Sequence, residues 1–242
     1  MGARPVFVDV QPDTYGLDQN RVLACINKKT RAIIPVHLYG EDAGRFTQFG
    51  IRVVEDSCEA LGIVQQTGHL ACYSFYGNKV IVTGEGGMLC GDLGNARQWR
   101  DGGFDEHYRN TIPGLNYRMS NLQAAVGLAQ IERFDTLLVM RLENARKYRE
   151  VLPGKGKWLF VVDSDNPMEL AKHLEANGVQ TRSVFTPLHR SPAFSVYAKG
   201  KYKVADRIWE RGLCLPTGPH VSANDIDKIV ELVHGYRRKL VA

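Results

Sequence analysis

Three short windows hold the residue types that could do chemistry. Asp56 follows the apolar run Val53-Val54 and closes a stretch of strand-forming residues. A carboxylate at the carboxyl edge of a strand is well placed to meet a ligand, and it serves equally well as a helix cap or a loop acid. Lys79 ends Ser74-Phe75-Tyr76-Gly77-Asn78-Lys79 and is followed by Thr83-Gly84-Glu85-Gly86-Gly87. Apolar surroundings favour a neutral, nucleophilic amine over an ammonium, which is what a Schiff-base lysine requires. Glycines let the backbone approach a ligand, and Ser74 with nearby N–H groups could hold a phosphate. The same window also reads as an exposed loop lysine. Gly114-Leu115-Asn116-Tyr117-Arg118-Met119 precedes a helix and reads as a turn with a cap.

The elements that must position these residues alternate. Strands are expected at Val6–Val10, 31–37, 52–55 (ending at Asp56), 71–76 and 87–90, with a helix capped by Asp18 through Ile26. Runs that are apolar on both faces, with helices between some of them, indicate a largely parallel sheet covered on both sides. A helix is expected from about Met119 to Ile131, capped by Ser120 or Asn121, and another over 135–151, where Leu138, Leu142, Ala145 and Tyr148 recur at three or four. Pro153-Gly154-Lys155-Gly156 reads as a hinge or trimmed loop. Strand 158–162, helix 167–176, strand 180–185 and helices 203–211 and 223–236 then suggest a small α+β domain.

Composition narrows the class. The chain has 242 residues, 44% hydrophobic and 24% charged, which is long enough for one large or two small domains with ordinary cores. Its 31 Lys and Arg against 26 Asp and Glu leave a net charge of +5 with no dense basic run, so nucleic-acid binding is not indicated, and an anionic small ligand suits the charge equally well. The five scattered cysteines contain no CxxC pair and read as reduced, mostly buried thiols of a cytoplasmic protein. No apolar run is long enough to span a membrane, and no metal-ligand spacing occurs. The first residues show neither a secretory pattern nor a myristoylation motif.

Taken in order, Val54-Glu55-Asp56-Ser57-Cys58-Glu59-Ala60-Leu61-Gly62, Ser74 to Lys79 with Thr83 to Gly87, and Gly114 to Met119 running into Asn121-Leu122-Gln123 closely resemble the DegT/DnrJ-type sugar aminotransferases. Pro35 to Gly40, Gly178 to Arg182, Pro187-Leu188-His189 and Leu213 to Pro216 agree, so the resemblance spans about Val6 to Val233. It implies an α/β, aspartate-aminotransferase-like fold (pyridoxal phosphate fold type I). Residues 1–131 would be the remainder of the cofactor-binding large domain, and 132–242 a linking helix with a small α+β domain. By position, Lys79 would bind pyridoxal 5′-phosphate covalently and shuttle the proton, and Asp56 would pair with the pyridinium nitrogen. Glu59 would stand near the cofactor's phenolic oxygen, where many members carry Gln. Ser74 would bind the phosphate, and Asn116 would reach the phosphate of a neighbouring subunit's cofactor in a homodimer or higher homo-oligomer. Arg118 and His189 are weaker substrate candidates, as are His37 and Arg182.

The reaction implied is amino transfer from glutamate to a nucleotide-linked keto sugar. The wording around Lys79 and Leu215-Pro216-Thr217-Gly218 looks most like the perosamine-synthase group, which acts on a GDP-linked 4-keto-6-deoxy sugar. A dehydratase branch carries His in place of the lysine. A non-catalytic relative that keeps the fold and dimer surface is the other alternative. Compared with the family, the chain lacks an N-terminal segment bearing a Gly-Thr phosphate turn, and it is shorter between Gly40 and Arg52, between Gly62 and Ala71 and around Gly154 to Trp158. Weak or absent cofactor binding is therefore expected, and the exposed sheet edge is expected to be covered by association or by rearrangement of residues 1–30.

Overall fold

The computed structural model describes residues 2–241, without the side chains of 239–241. Two four-stranded sheets organise it. In the first, β1 (Ala32–Ile33), β2 (Arg52–Asp56) and β3 (Leu70–Ser74) run parallel, and β4 (Gly87–Gly91) closes the edge antiparallel to β3. The register sets Asp56 opposite Cys72 and Ser74 opposite Gly87, so Asp56 and Ser74 both end strands on one rim of this sheet. Along β2, buried Val53 and Glu55 alternate with half-buried Val54 and Asp56, the period-two pattern of a strand with two different faces.

The second sheet has the order β5 (Gly154–Lys155), β6 (Phe160–Asp163), β8 (Gly212–Leu215), β7 (Arg182–Ser183), all antiparallel. Helices α4 (Phe134–Val151), α5 (Pro167–Glu175) and α7 (Ala223–Val241) cover it. Tyr148, Phe160, Leu170, Leu174, Leu213, Leu215, Ile226 and Val233 form its buried core. Helices α1 (Gln19–Cys25), α2 (Ala96–Arg100), α3 (Asn121–Ile131) and α6 (Lys203–Arg211) complete the set.

Caps read from the sequence are observed. The Asp18 carboxylate accepts from the N–H groups of Asn20 and Arg21 at the start of α1, and Ser120 forms a capping box with Gln123 at the start of α3. Other expectations are corrected. Val6–Val10 forms no strand: only Val10 bridges, to Leu17, because the chain offers this segment no partner strand along its length. Its Asp9 is instead buried, with its carboxylate on the N–H groups of Val204 and Ala205, the open end of α6. Gly154-Lys155 is no hinge but an edge strand, held further by Lys155 Nζ on the carbonyl of Pro12 at 2.9 Å. Strand 31–37 shrinks to two residues plus a lone bridge from Val36 to Asp56. Strand 180–185 shrinks to Arg182–Ser183. Strand β8, central and buried throughout, was not anticipated. Cys214 is buried, but Cys58, Cys72 and Cys90 are only half-buried and Cys25 is exposed, so the thiols are not mostly interior. Residues 8–26 pack against the first sheet, where Val22 and Leu17 join the cluster of Ile33, Phe46 and Val53.

Candidate active site

The turn that leaves β2 builds one side of the site. Asp56 ends the strand half-buried, its carboxylate accepting from the N–H of Cys58 at 3.1 Å. Gly62 closes the turn with φ +72°, and a Cβ there would lie 2.5 Å from the ring of Phe134 and 2.8 Å from Leu138. Glycine is required both for the left-handed backbone and for the close seating of α4. Between them Glu59 is buried. One of its oxygens accepts from the backbone N–H of Tyr39 at 2.7 Å, and the other lies 3.6 Å from Lys79 Nζ. Burial pushes the Glu59 carboxyl above the usual carboxylate range, opposed by the Tyr39 N–H and by Lys79.

The segment after β3 builds the other side. Ser74 Oγ accepts from the N–H of Tyr76, which turns the chain and leaves the hydroxyl hydrogen free to donate. Lys79 is largely buried, with its ammonium 4.1 Å from the ring centroid of Trp158. Trp158 is itself buried, donating its indole N–H to the carbonyl of Asn78 at 3.2 Å. The Cys58 thiol senses the whole corner. Burial first, then Asp56, pushes it up to about 12, while Lys79 acts in the opposite direction. Asp56, Glu59 and Lys79 are thus gathered at one corner, at the carboxyl ends of β2 and β3.

The remaining candidates are elsewhere engaged. Asn116 forms an antiparallel bridge with Asp101, and Arg118 is exposed, its charge acting on Asp101. The His189 Nε2 lies 2.8 Å from Asp206, and its ring stacks on Tyr202 at 4.2 Å. His37 is buried, accepting from the Ala43 N–H through Nδ1 and facing Glu55 across 3.7 Å. Arg182 is exposed on β7.

Two residues that reasoning from the sequence passed over are central. Tyr39, buried and at φ 55°, holds Glu59 through its N–H and accepts from the N–H groups of Lys157 and Trp158 through its carbonyl. Its hydroxyl oxygen accepts from the Phe185 N–H at 2.9 Å. Trp158 faces the lysine. The only local signal for either was an aromatic in an otherwise ordinary strand flank.

The donor set suits a pyridoxal phosphate ring. It contains an amine for the aldehyde, a strand-end carboxylate for the ring nitrogen, a buried acid beside the amine and a free hydroxyl for a phosphate oxygen. Asn78 Oδ1, next to Lys79, is a buried acceptor left without a partner among the described residues. Among those residues no cluster of His, Cys, Asp and Glu could hold a metal, and no helix is long and apolar enough to cross a membrane.

The chain is similar to known proteins. Residues 1–234 match the DegT/DnrJ/EryC1/StrS aminotransferase family. GDP-perosamine synthase of Caulobacter vibrioides is 36% identical over 267 aligned positions, covering 95% of this chain and 72% of that protein. The alignment is longer than the chain, so that relative carries residues within the aligned span that are missing here. GDP-perosamine synthase of Escherichia coli O157:H7 is 30% identical, with 97% of this chain and 73% of that protein covered. Among solved structures, S. venezuelae DesV superposes with a TM-score of 0.89 at 30% identity over 97% of this chain and 72% of its own. With a mixed α/β fold, a family match over nearly the whole length and relatives at 30% identity or more, the chain belongs to the DegT/DnrJ/EryC1/StrS aminotransferases, a family of pyridoxal-phosphate-dependent sugar aminotransferases.

Proposed function

We propose that this protein transfers an amino group from glutamate to a keto carbon of a nucleotide-linked sugar, with a GDP-linked 4-keto-6-deoxy sugar as the first substrate to try. The observation that carries the reading is the corner where Lys79 Nζ meets buried Glu59 beside the strand-end Asp56. The likeness to two GDP-perosamine synthases supports the choice of nucleotide.

When bound, pyridoxal phosphate supplies an electron sink that stabilises negative charge on the carbon bearing the amine. The roles of this chain's residues are carried over by position from the family resemblance, and their chemistry is compatible with them. Lys79 would hold the cofactor through its amine, and the same amine would carry the proton to and from the reacting carbon. Asp56 keeps the ring nitrogen protonated. Glu59, by the family resemblance, would stand near the phenolic oxygen of the ring. Ser74 donates to the phosphate. Asn116, Arg118 and His189 are assigned to a neighbouring subunit's phosphate and to substrate.

In this reading residues 1–131 are the cofactor-binding part, and 132–242 are the linking helix and small domain. The working form is a homodimer. Helix α3 supports this, since Leu122 (82% exposed), Leu128 and Ile131 lie bare on it, following the exposed Leu115 and Tyr117.

Incubating the protein with pyridoxal phosphate, glutamate and a panel of nucleotide keto sugars tests the reading. With the cofactor in excess, to offset the weak binding expected without the Gly-Thr phosphate turn, the reading requires a new absorption band from cofactor held by Lys79, its loss in Lys79→Ala, and formation of an amino sugar. A second reading, a non-catalytic relative that keeps the fold, is favoured by the residues missing within the aligned span. It requires that no such band form.

A further inference from the structure

The contacts around Lys79 form a closed circuit. Lys79 Nζ faces one oxygen of Glu59 at 3.6 Å, and the other oxygen of Glu59 takes the Tyr39 N–H at 2.7 Å. The Tyr39 carbonyl takes the Trp158 N–H at 2.9 Å. The Trp158 indole N–H holds the carbonyl of Asn78 at 3.2 Å, and the next residue in the chain is Lys79 itself. The indole face then meets the same ammonium at 4.1 Å. One side chain therefore touches both the backbone that delivers the lysine and the tip of the lysine.

Trp158 does not belong to the first sheet. It lies two residues before β6 of the second sheet, and its carbonyl is held there by Arg141 Nη1 of α4 at 2.8 Å and by the Thr217 hydroxyl. Arg141 is buried, and burial lowers its guanidinium to about 10, so it is committed to this carbonyl at a desolvation cost. Tyr39 carries a left-handed backbone that a bulky residue adopts only when its surroundings enforce it, and the hydrogen bonds at its N–H, carbonyl and hydroxyl enforce it.

We propose that Trp158 is a positioning residue for Lys79: anchored in the second sheet, it sets both the approach of the chain at Asn78 and the place of the amine beside Glu59. The proposal rests on the reading of Lys79 as the amine that captures the cofactor aldehyde. It assigns the second sheet a part in that capture beyond folding. A tryptophan that only filled the core would need neither its N–H on Asn78 nor its face on the ammonium.

Two labelling experiments on the full chain, read by peptide mass spectrometry at each lysine, test this. Trace acetic anhydride reports how tightly the amine is held. Pyridoxal phosphate followed by borohydride, which reduces the imine to a stable secondary amine, reports how well it is aimed. Lys172, on the exposed face of α5, is the internal reference. In Trp158→Leu, acetylation of Lys79 relative to Lys172 should rise at least fivefold, and pyridoxyl labelling of Lys79 should fall at least tenfold. In Trp158→Phe, which keeps an aromatic face but loses the donor, both changes should be about two- to threefold in the same directions. Circular dichroism identifies any variant that fails to fold, and Trp158→Phe carries the test if the leucine variant does.

Opposite movements of the two labels establish positioning. Unchanged labels in a folded variant overturn it, and so does a rise in both, which means shielding alone. If the unaltered protein takes no pyridoxyl label at Lys79, the functional reading fails and the aiming role fails with it. Acetylation then still distinguishes that outcome, by showing whether Trp158 holds the amine.

Discussion

The two sheets are finished to different degrees. Every residue of β8 is buried, and the second sheet is roofed by α4, α5 and α7 over Phe160, Val162, Leu213 and Leu215, none more than 1% exposed. In the first sheet, β4 is exposed or half-buried along its length, Met88 is more than half exposed, and α3 buries only Gly127. The second sheet is a core that needs nothing more. The first carries the candidate chemistry at its rim and leaves apolar surface for another surface to cover. Binding regions are commonly drawn from the less self-sufficient part of a molecule, because a group that must receive a ligand cannot also be fully packed. The Lys79 corner departs from this contrast: it lies on the open sheet yet is braced by the closed one through Trp158.

Substitutions can sharpen or break the contrast. The largest effect is expected at Phe160, whose ring packs on Tyr148 at 5.3 Å. Phe160→Ala should cost about 3–5 kcal/mol, read from urea unfolding, because the cavity lies where no loop can collapse into it. A loss below about 1 kcal/mol would mean that the second sheet is not the stable half. Ser120→Ala should cost about 1 kcal/mol by the same measurement, since it orphans the N–H of Gln123 and undoes the capping box.

Glu59→Gln probes the join between the sheets. The folded state holds this carboxyl above its ordinary value of 4.5, so it favours the protonated form. Folding stability from this group is then greatest at low pH and declines as pH rises from 4.5 through the raised folded value. The glutamine variant lacks that decline. Its thermal midpoint minus that of the unaltered protein should therefore increase between pH 4 and pH 7. A flat difference would mean that Glu59 is not held in a desolvated site.

Leu122→Asp should have the smallest effect on folding, within about 0.5 kcal/mol, because the side chain is bare on the isolated chain. Its effect on association should be larger. Light scattering should show a dimer for the unaltered protein and a monomer for the variant, and a stable monomer of the unaltered protein would remove the dimer from the proposal.

Local signals were legible wherever the physics is local. Asp18 and Ser120 are caps because a short polar side chain reaches the N–H groups two or three residues on, whatever the rest of the chain does. Helix α6 was read at its observed limits for the same reason: its pattern repeats within nine residues. The candidate lysine and aspartate could be singled out by type and by their place at the ends of apolar runs. The failures were of another kind. Val6–Val10 has strand composition, but a strand exists only with a partner. Strand β8 follows α6 with no intervening turn, and its apolar run Leu213-Cys214-Leu215, bounded by Gly212 and Pro216, is only three residues long; its burial comes from β6 and β7 on its two sides.

The sequence by itself determined the family, six of the seven α-helices among the described residues in their order (α2 was not expected) and the chemical types gathered near the rim of the first sheet, because ordered motifs and helix periodicity are written over short stretches of chain. Only the tertiary structure decided that His189 turns to Asp206, that Asp9 caps a helix 195 residues away, and that Trp158 stands against Lys79. Those contacts join residues far apart in the chain, and their partners are chosen by which surfaces must be buried together. No spacing within a window of sequence records that choice.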